Sequence, residues 1–245
     1  MKQCIVFLLS SLLFLSCSDD KIINPILFPI DEATIGVKSK IYYPSLESNQ
    51  ILSIEDFEYK DGQLHKKIYY SENRVMIFHY ELFSYDSYGK LLYKLNYHSN
   101  LNSPTGFILL DSTAYFYSNN LLVAEKESHP ASGYYEKYSY EYNGKYLIKK
   151  LKSYNEELDS YIIYEYEKNK IYREVNYYKD NSITESKEYK YNDVALIEVV
   201  YYTFRNEAKR RINYSYNENG KLVLEKVDEL LNYSSSLPYV VKYEY

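Results

Sequence analysis

One motif governs the chain: two aromatics flanking a single residue, then a short polar turn, then an aliphatic residue that opens the next stretch. It is written "FEYKDGQL", "FSYDSYGKL", "YFYSNNLL", "YEYNGKYL", "YEYEKNKI", "YKYNDVAL" and "YSYNENGKL", with a last "YEY" at the end of the sequence. The second aromatics are Tyr59, Tyr85, Tyr117, Tyr142, Tyr166, Tyr191, Tyr216 and Tyr245, so the motif returns after 26, 32, 25, 24, 25, 25 and 29 residues. Near-constant steps of this size mark a repeat architecture. Period-two patterning puts Tyr138, Tyr140 and Tyr142 on one face of a strand and Lys137, Ser139 and Glu141 on the other. The Asp-Gly, Asn-Gly and Asn-Asp turns use small polar residues that tolerate the positive φ of hairpin turns. Leu64, Leu91, Leu121, Leu147, Ile171, Leu196 and Leu222 then open the return strands. Each unit is a β-hairpin whose YxY pair and exit aliphatic share a face.

Repetition of this hairpin predicts an all-β fold, an antiparallel meander of about 15–16 strands. Open sheets seldom exceed about ten strands, so the meander is expected to curl into a barrel or rolled shell, which removes its edges. Composition agrees: 35 Tyr and 9 Phe dominate, with no Trp, and a Tyr ring suits a pleated surface whose far side meets water. A membrane-spanning barrel is not expected, because a lipid-facing surface must be free of charge near the midplane. "SIEDFEYK" puts Glu55 on one face and Asp56 and Glu58 on the other; "LIKKLKSY" likewise divides Lys149 from Lys150 and Lys152.

Charge excludes further classes. The 34 acidic and 29 basic residues are interleaved and sum to −5, which argues against nucleic acid, whose binding rests on a cationic surface. Cys4 and Cys17 both fall in the opening seventeen residues, so no disulfide framework is expected beyond them. "MKQCIVFLLSSLLFLSC" places one Lys before an apolar run from Ile5 to Leu15, too short to span about 30 Å of hydrocarbon and suited to a signal peptide.

Leu15-Ser16-Cys17 resembles the end of a bacterial lipobox, with Phe14 where that pattern has an aliphatic residue. The resemblance implies cleavage before Cys17 and its acylation. Ser18, Asp19 and Asp20 resemble the acidic export signal of Bacteroidetes surface lipoproteins. The expected division is therefore a lipoprotein signal peptide over 1–16, a lipidated tether over 17–36 and a Tyr-rich hairpin-repeat domain over 37–245. The hairpins resemble the YD repeats of RHS proteins, which wrap into a hollow shell, and the porin-like barrel lipoproteins of Bacteroidetes. Only Tyr85-Asp86 supplies the eponymous pair, Lys stands for the usual Arg after Gly, and the chain ends on a repeat, so cargo encapsulation is not carried over. "DST" at Asp111 to Thr113 resembles the Bacteroidetes O-glycosylation tripeptide.

Chemistry leaves little signature. His65, His79, His98 and His129 lie in different units without ligand spacing, so no metal site or cofactor is expected. There is no G-x-S-x-G elbow and no Gly-rich phosphate loop. The YxY rings recur with the period of the fold and read as core. Binding is expected of tyrosines outside that register: Tyr134, Tyr135, Tyr177, Tyr178, Tyr201 and Tyr202. The expected function is a lipid-anchored, non-enzymatic surface module on the outer membrane, binding glycan or protein. The alternatives are a structural or assembly protein of the envelope, suggested by the unreturned final strand "VKYEY", and a carbohydrate-active enzyme.

Overall fold

The computed structural model of the chain describes residues 36–193, 195–231 and 238–245. The signal peptide and the residues expected to carry the anchor and export signal (Cys17, Ser18, Asp19, Asp20) lie outside them. Sixteen strands follow one another: β1 (Ser39–Tyr43), β2 (Ser53–Lys60), β3 (Gln63–Ser71), β4 (Ile77–Tyr85), β5 (Leu91–Ser99) and β6 (Phe107–Ser118). The middle of the chain forms β7 (Leu121–Ser128), β8 (Tyr135–Asn143), β9 (Tyr146–Tyr154), β10 (Glu157–Glu167) and β11 (Lys170–Tyr178). It closes with β12 (Ile183–Tyr191), β13 (Leu196–Thr203), β14 (Ala208–Tyr216), β15 (Leu222–Glu229) and β16 (Tyr239–Glu244). Each pairs antiparallel with its sequence neighbours, and β16 pairs with β1, so the meander is a closed barrel. The "VKYEY" strand is therefore no free edge. It sits between β15 and β1, with Val241 opposite both Glu225 and Tyr42.

The repeat builds the barrel as follows. At the turn end, Asn119-Asn120 and Lys168-Asn169 hold the paired positive φ values of a two-residue hairpin turn. The longer turns are closed by their first residue: Asp86 Oδ1 accepts from the backbone N–H of Tyr88 and Lys90, and Asn217 Oδ1 from those of Asn219 and Lys221. The second Tyr of the motif then lies opposite the exit aliphatic, as in Tyr142–Leu147 and Tyr216–Leu222. In one hairpin the structure corrects the expected residue: Tyr117 faces Leu122, while Leu121 lies opposite Ser118.

These hairpins interlock with the ones before them. Tyr85 donates its hydroxyl to the Leu64 carbonyl, Tyr117 to Leu91, Tyr142 to Leu122, Tyr166 to Leu147, Tyr216 to Leu196 and Tyr245 to Leu222, at 2.8 to 3.0 Å. Under these rings Leu147 and Leu222 are fully buried. The clusters so formed run along the wall: one spans β6 to β10, one β10 to β14, and one the seam from β14 round to β2. None joins opposite walls, consistent with sixteen strands enclosing a lumen too wide for side chains to fill.

Past the turn-end aromatics the inner face becomes polar. Glu174, buried, accepts from the Tyr189 hydroxyl at 2.5 Å and pairs with Lys187 at 3.0 Å. Tyr42, Glu55 and Lys67 repeat this arrangement across β1 to β3, and Tyr138, Glu136 and Lys152 across β8 and β9. The outer face is charged as well, with Glu198 pairing with both Lys190 and Arg211, and Arg74 with Asp56. A wall charged on its outside is suited to water rather than lipid.

Candidate ligand site at the loop end of the lumen

A cleft of about 270 Å³ opens at the loop end, opposite the motif turns, between β8 and β12. Tyr138 and Tyr178 bring two rings to it, Lys150 and Lys152 two ammonium groups, and Ser160, Asn176 and Thr184 neutral polar groups. Strand pairing produces this convergence: Ser160 lies opposite both Lys152 and Tyr178, and Ile162 opposite Lys150 and Asn176. Tyr161 and Tyr177, opposite each other, turn their rings to the outer face, where Lys149 lies over Tyr161. The Tyr161 and Tyr177 rings stack at 4.9 Å with 13° between planes, and Tyr161 is held by donation to Asn181. Offset stacking of this kind stiffens a pair of rings.

The polar lining is tuned by burial. Burial pushes the Lys150 ammonium below its ordinary range, against the pull of Glu125 and Glu174. Lys152 is affected oppositely: burial works against its charge, but hydrogen bonds with Tyr154 and Glu136 hold its pKa above the usual value. Asn176 donates through Nδ2 to Glu185, while its buried Oδ1 has no hydrogen-bond partner within the protein. The cleft thus offers flat apolar faces, a cation of softened charge and an open amide acceptor, the groups that position a small polar ligand.

Of the tyrosines expected to bind, Tyr178, 56% exposed, presents its ring to this cleft, while neighbouring Tyr177 stacks on Tyr161 on the outer face. Tyr134 stands at the same end, stacked on His129 at 4.4 Å. Tyr135 and Tyr202 lie on the outer wall, the first under Lys126 Nζ at 3.8 Å and bonded to Glu156, the second bonded to Glu188. Tyr201 lies on the inner wall, away from the cleft. It packs inside the lumen against the Tyr189–Val199 cluster, with the Lys187 ammonium over its ring. In the "DST" segment Asp111 and Thr113 are buried on the inner face, and Ser112 between them is half-buried on the outer one.

Tyr138 and Tyr161 were not singled out by sequence. Tyr138 carries the YxY periodicity one step further from the turn, where the lumen is no longer closed by aliphatics. Nor did linear spacing show that Asp111 on β6 and Glu127 and His129 at the end of β7 bring their ligand atoms within 4.8 Å of one another. This group adjoins the cleft, because Glu127 lies opposite Glu136, the partner of Lys152.

No protein-family model matches the sequence, and no curated protein matches it. Among solved structures, the fold is similar to a porin-like protein from Bacteroides uniformis, at 9% identity and a TM-score of 0.36, covering 84% of this chain and 96% of that one. A porin-like protein from Bacteroides vulgatus is similar at 11% identity and a TM-score of 0.35, covering 85% and 98%. A stretch of TcdB2-TccC3 without its hypervariable C-terminal region is similar at 9% identity and a TM-score of 0.26, covering 84% of this chain and 16% of that one.

Proposed function

We propose that this chain is a lipid-anchored, non-enzymatic binding module of the outer membrane that takes a glycan in the loop-end cleft. The observation that carries the reading is the convergence of the Tyr138 and Tyr178 rings, two Lys ammonium groups and the open Asn176 acceptor in one concave site. Rings of this kind stack on the apolar faces of sugars, and the ammonium and amide groups meet hydroxyls and carboxylates. The anchor rests on the lipobox resemblance at Cys17, and the acidic residues after it support a barrel held outside the cell by a short tether.

The test is a glycan-array screen with the purified chain, followed by Tyr178→Ala. Loss of at least tenfold in affinity is expected, whereas Tyr88→Ala, on a motif turn at the other end and 88% exposed, leaves affinity unchanged. Binding that survives loss of Tyr178 and Tyr138 together sinks the site. Release of reducing ends from a bound polysaccharide transfers the protein to the carbohydrate-active enzymes. For the anchor, Cys17→Ser is expected to move the protein from the membrane to the soluble fraction, and protease shaving of intact cells reports which face carries it.

A second reading, an envelope assembly component, is favoured by the outer wall of β4 to β6. There Tyr80, Tyr97 and Phe107 form an aromatic patch, with Tyr93 and Phe116 about half exposed. Crosslinking through this patch distinguishes a protein partner from a glycan.

A further inference from the structure

We infer that Asp111, Glu127 and His129 form a binding site for one divalent transition-metal ion, on the inner wall beside the cleft. Three ligand atoms, two carboxylate oxygens and an imidazole nitrogen, lie within 4.8 Å of one another on β6 and β7. Metal–ligand bonds of about 2.0–2.2 Å place donors closer together than this, so binding requires an inward movement of about an ångström.

The cluster's surroundings suit a bound cation. Thr113 is 3% exposed, its Oγ1 has no hydrogen-bond partner, and it lies directly opposite Glu127 and two residues from Asp111 on the same face. His129 Nε2 sits 3.3 Å from Glu127 Oε1 without making a hydrogen bond. Asn96, opposite Asp111, uses its Nδ2 on Asp111 Oδ2 and leaves Oδ1 buried and unpaired. Buried polar groups are almost always paired, so three lone acceptors or donors around two carboxylates need an explanation. A cation supplies one: it neutralises the carboxylates, takes the imidazole lone pair and turns nearby oxygens into ligands or partners of its bound water.

Donor chemistry selects the ion. An imidazole with two carboxylates suits zinc or manganese better than calcium, which takes six to eight oxygens and rarely nitrogen. Asn96 acts as an outer partner here, holding Asp111 in place.

The experiment is isothermal titration of Zn²⁺ and Mn²⁺ into the chelator-stripped full chain in detergent, with thermal unfolding followed alongside. Cys4 and Cys17 are changed to Ser so that thiols do not compete. One equivalent is expected to bind with micromolar or tighter affinity, Zn²⁺ more strongly than Mn²⁺, and to raise the melting temperature. His129→Gln is expected to weaken binding by at least tenfold. Thr113→Val, which removes only the lone hydroxyl, tests the site without emptying a buried position. Because Asp111→Asn risks misfolding, Glu127→Gln serves as the second ligand variant; it is expected to abolish the metal-induced shift in melting temperature. No saturable equivalent, or binding unchanged in both His129→Gln and Glu127→Gln, overturns the inference.

Discussion

At the scale of single residues, the recurring tyrosine does two things at once. Its ring covers an aliphatic residue, and its hydroxyl closes a carbonyl of the preceding hairpin. Tyr142 shows both: it packs with Leu122 and Leu147 and donates to the Leu122 carbonyl at 2.8 Å. Tyr142→Phe keeps the ring and removes the bond, so a loss of about 1 kcal/mol is expected in denaturant unfolding. Leu147→Ala, at a fully buried position, is expected to cost about 2–5 kcal/mol. The ring half of this role was legible, because YxY pairs recur with the fold. The hydroxyl half was not, because its acceptor is backbone and carries no residue signature. Glu127 shows how environment decides a titration. Burial, then Asp111 nearby, pushes its carboxyl above the ordinary value, against Lys94 and His129. The folded chain therefore holds this proton more tightly than the unfolded chain does. Stability is fullest below the ordinary carboxyl range and falls as pH rises through the folded value. Glu127→Gln should thus raise the melting temperature of the metal-free protein at pH 7, with the gain vanishing near about pH 4. A gain that is equal at both pH values would rule out this cause.

At the scale of the element, each motif hairpin contains an irregularity that sequence did not reveal. The register shifts just before the second Tyr, between Glu58 and Tyr59, Ser84 and Tyr85, Glu141 and Tyr142, and in the same place in the other hairpins. The residue after the exit aliphatic, Ile148 in "YLIKK", is the extra one. One added residue reverses the parity of everything beyond it. Leu147 faces inward, and the bulge then turns Lys150 and Lys152 inward, opposite Tyr140 and Tyr138, in place of Lys149 and Leu151. The division read from the sequence, Lys149 on one face and Lys150 and Lys152 on the other, holds, and the bulge decides which of the two faces the lumen. Tyr201, five residues beyond Leu196 and across the bulge, is turned inward in the same way. Deleting Ile148 should restore a regular ladder, expel Lys152 from its pairing with Glu136 and drive Lys149 into the lumen. Loss of the cooperative melt is expected, whereas deleting Thr105 from the exposed β5–β6 loop should leave the barrel folded. A native melt for the Ile148 deletion would mean that the bulges are not what sets the inner face.

At the scale of the whole molecule, closure and polarity are coupled. Sixteen strands enclose more space than their own side chains fill, so stability comes from the wall itself: ladder bonds, turn-end aromatic clusters and buried carboxylates paired with Tyr and Lys. The strand count and antiparallel order were legible from the period of the motif. Curling without free edges was legible too, but not which strands meet, because β1 has no motif of its own and its pairing with β16 joins residues about two hundred positions apart. That seam is a weak point on physical grounds. β1 has five residues and β16 six, the two shortest strands, yet they give β2 and β15 their second partners and close the barrel. The seam is reinforced where it is short: Lys40 lies over the rings of both Phe57 and Tyr243, Tyr243 donates to Glu225, and Tyr245 reaches back to Leu222. Removing residues 238–245 would expose β1 and β15 as unpaired edges and strip Val241 and Tyr243 from the buried cluster against Leu222. Unpaired edges of this length template association between copies. Size-exclusion chromatography of the truncated chain is therefore expected to show oligomers or aggregate where the whole chain runs as a single species. A truncated chain that stays monomeric and melts cooperatively would show that the remaining fifteen strands hold their curvature without the seam. Stability would then lie in the motif hairpins alone.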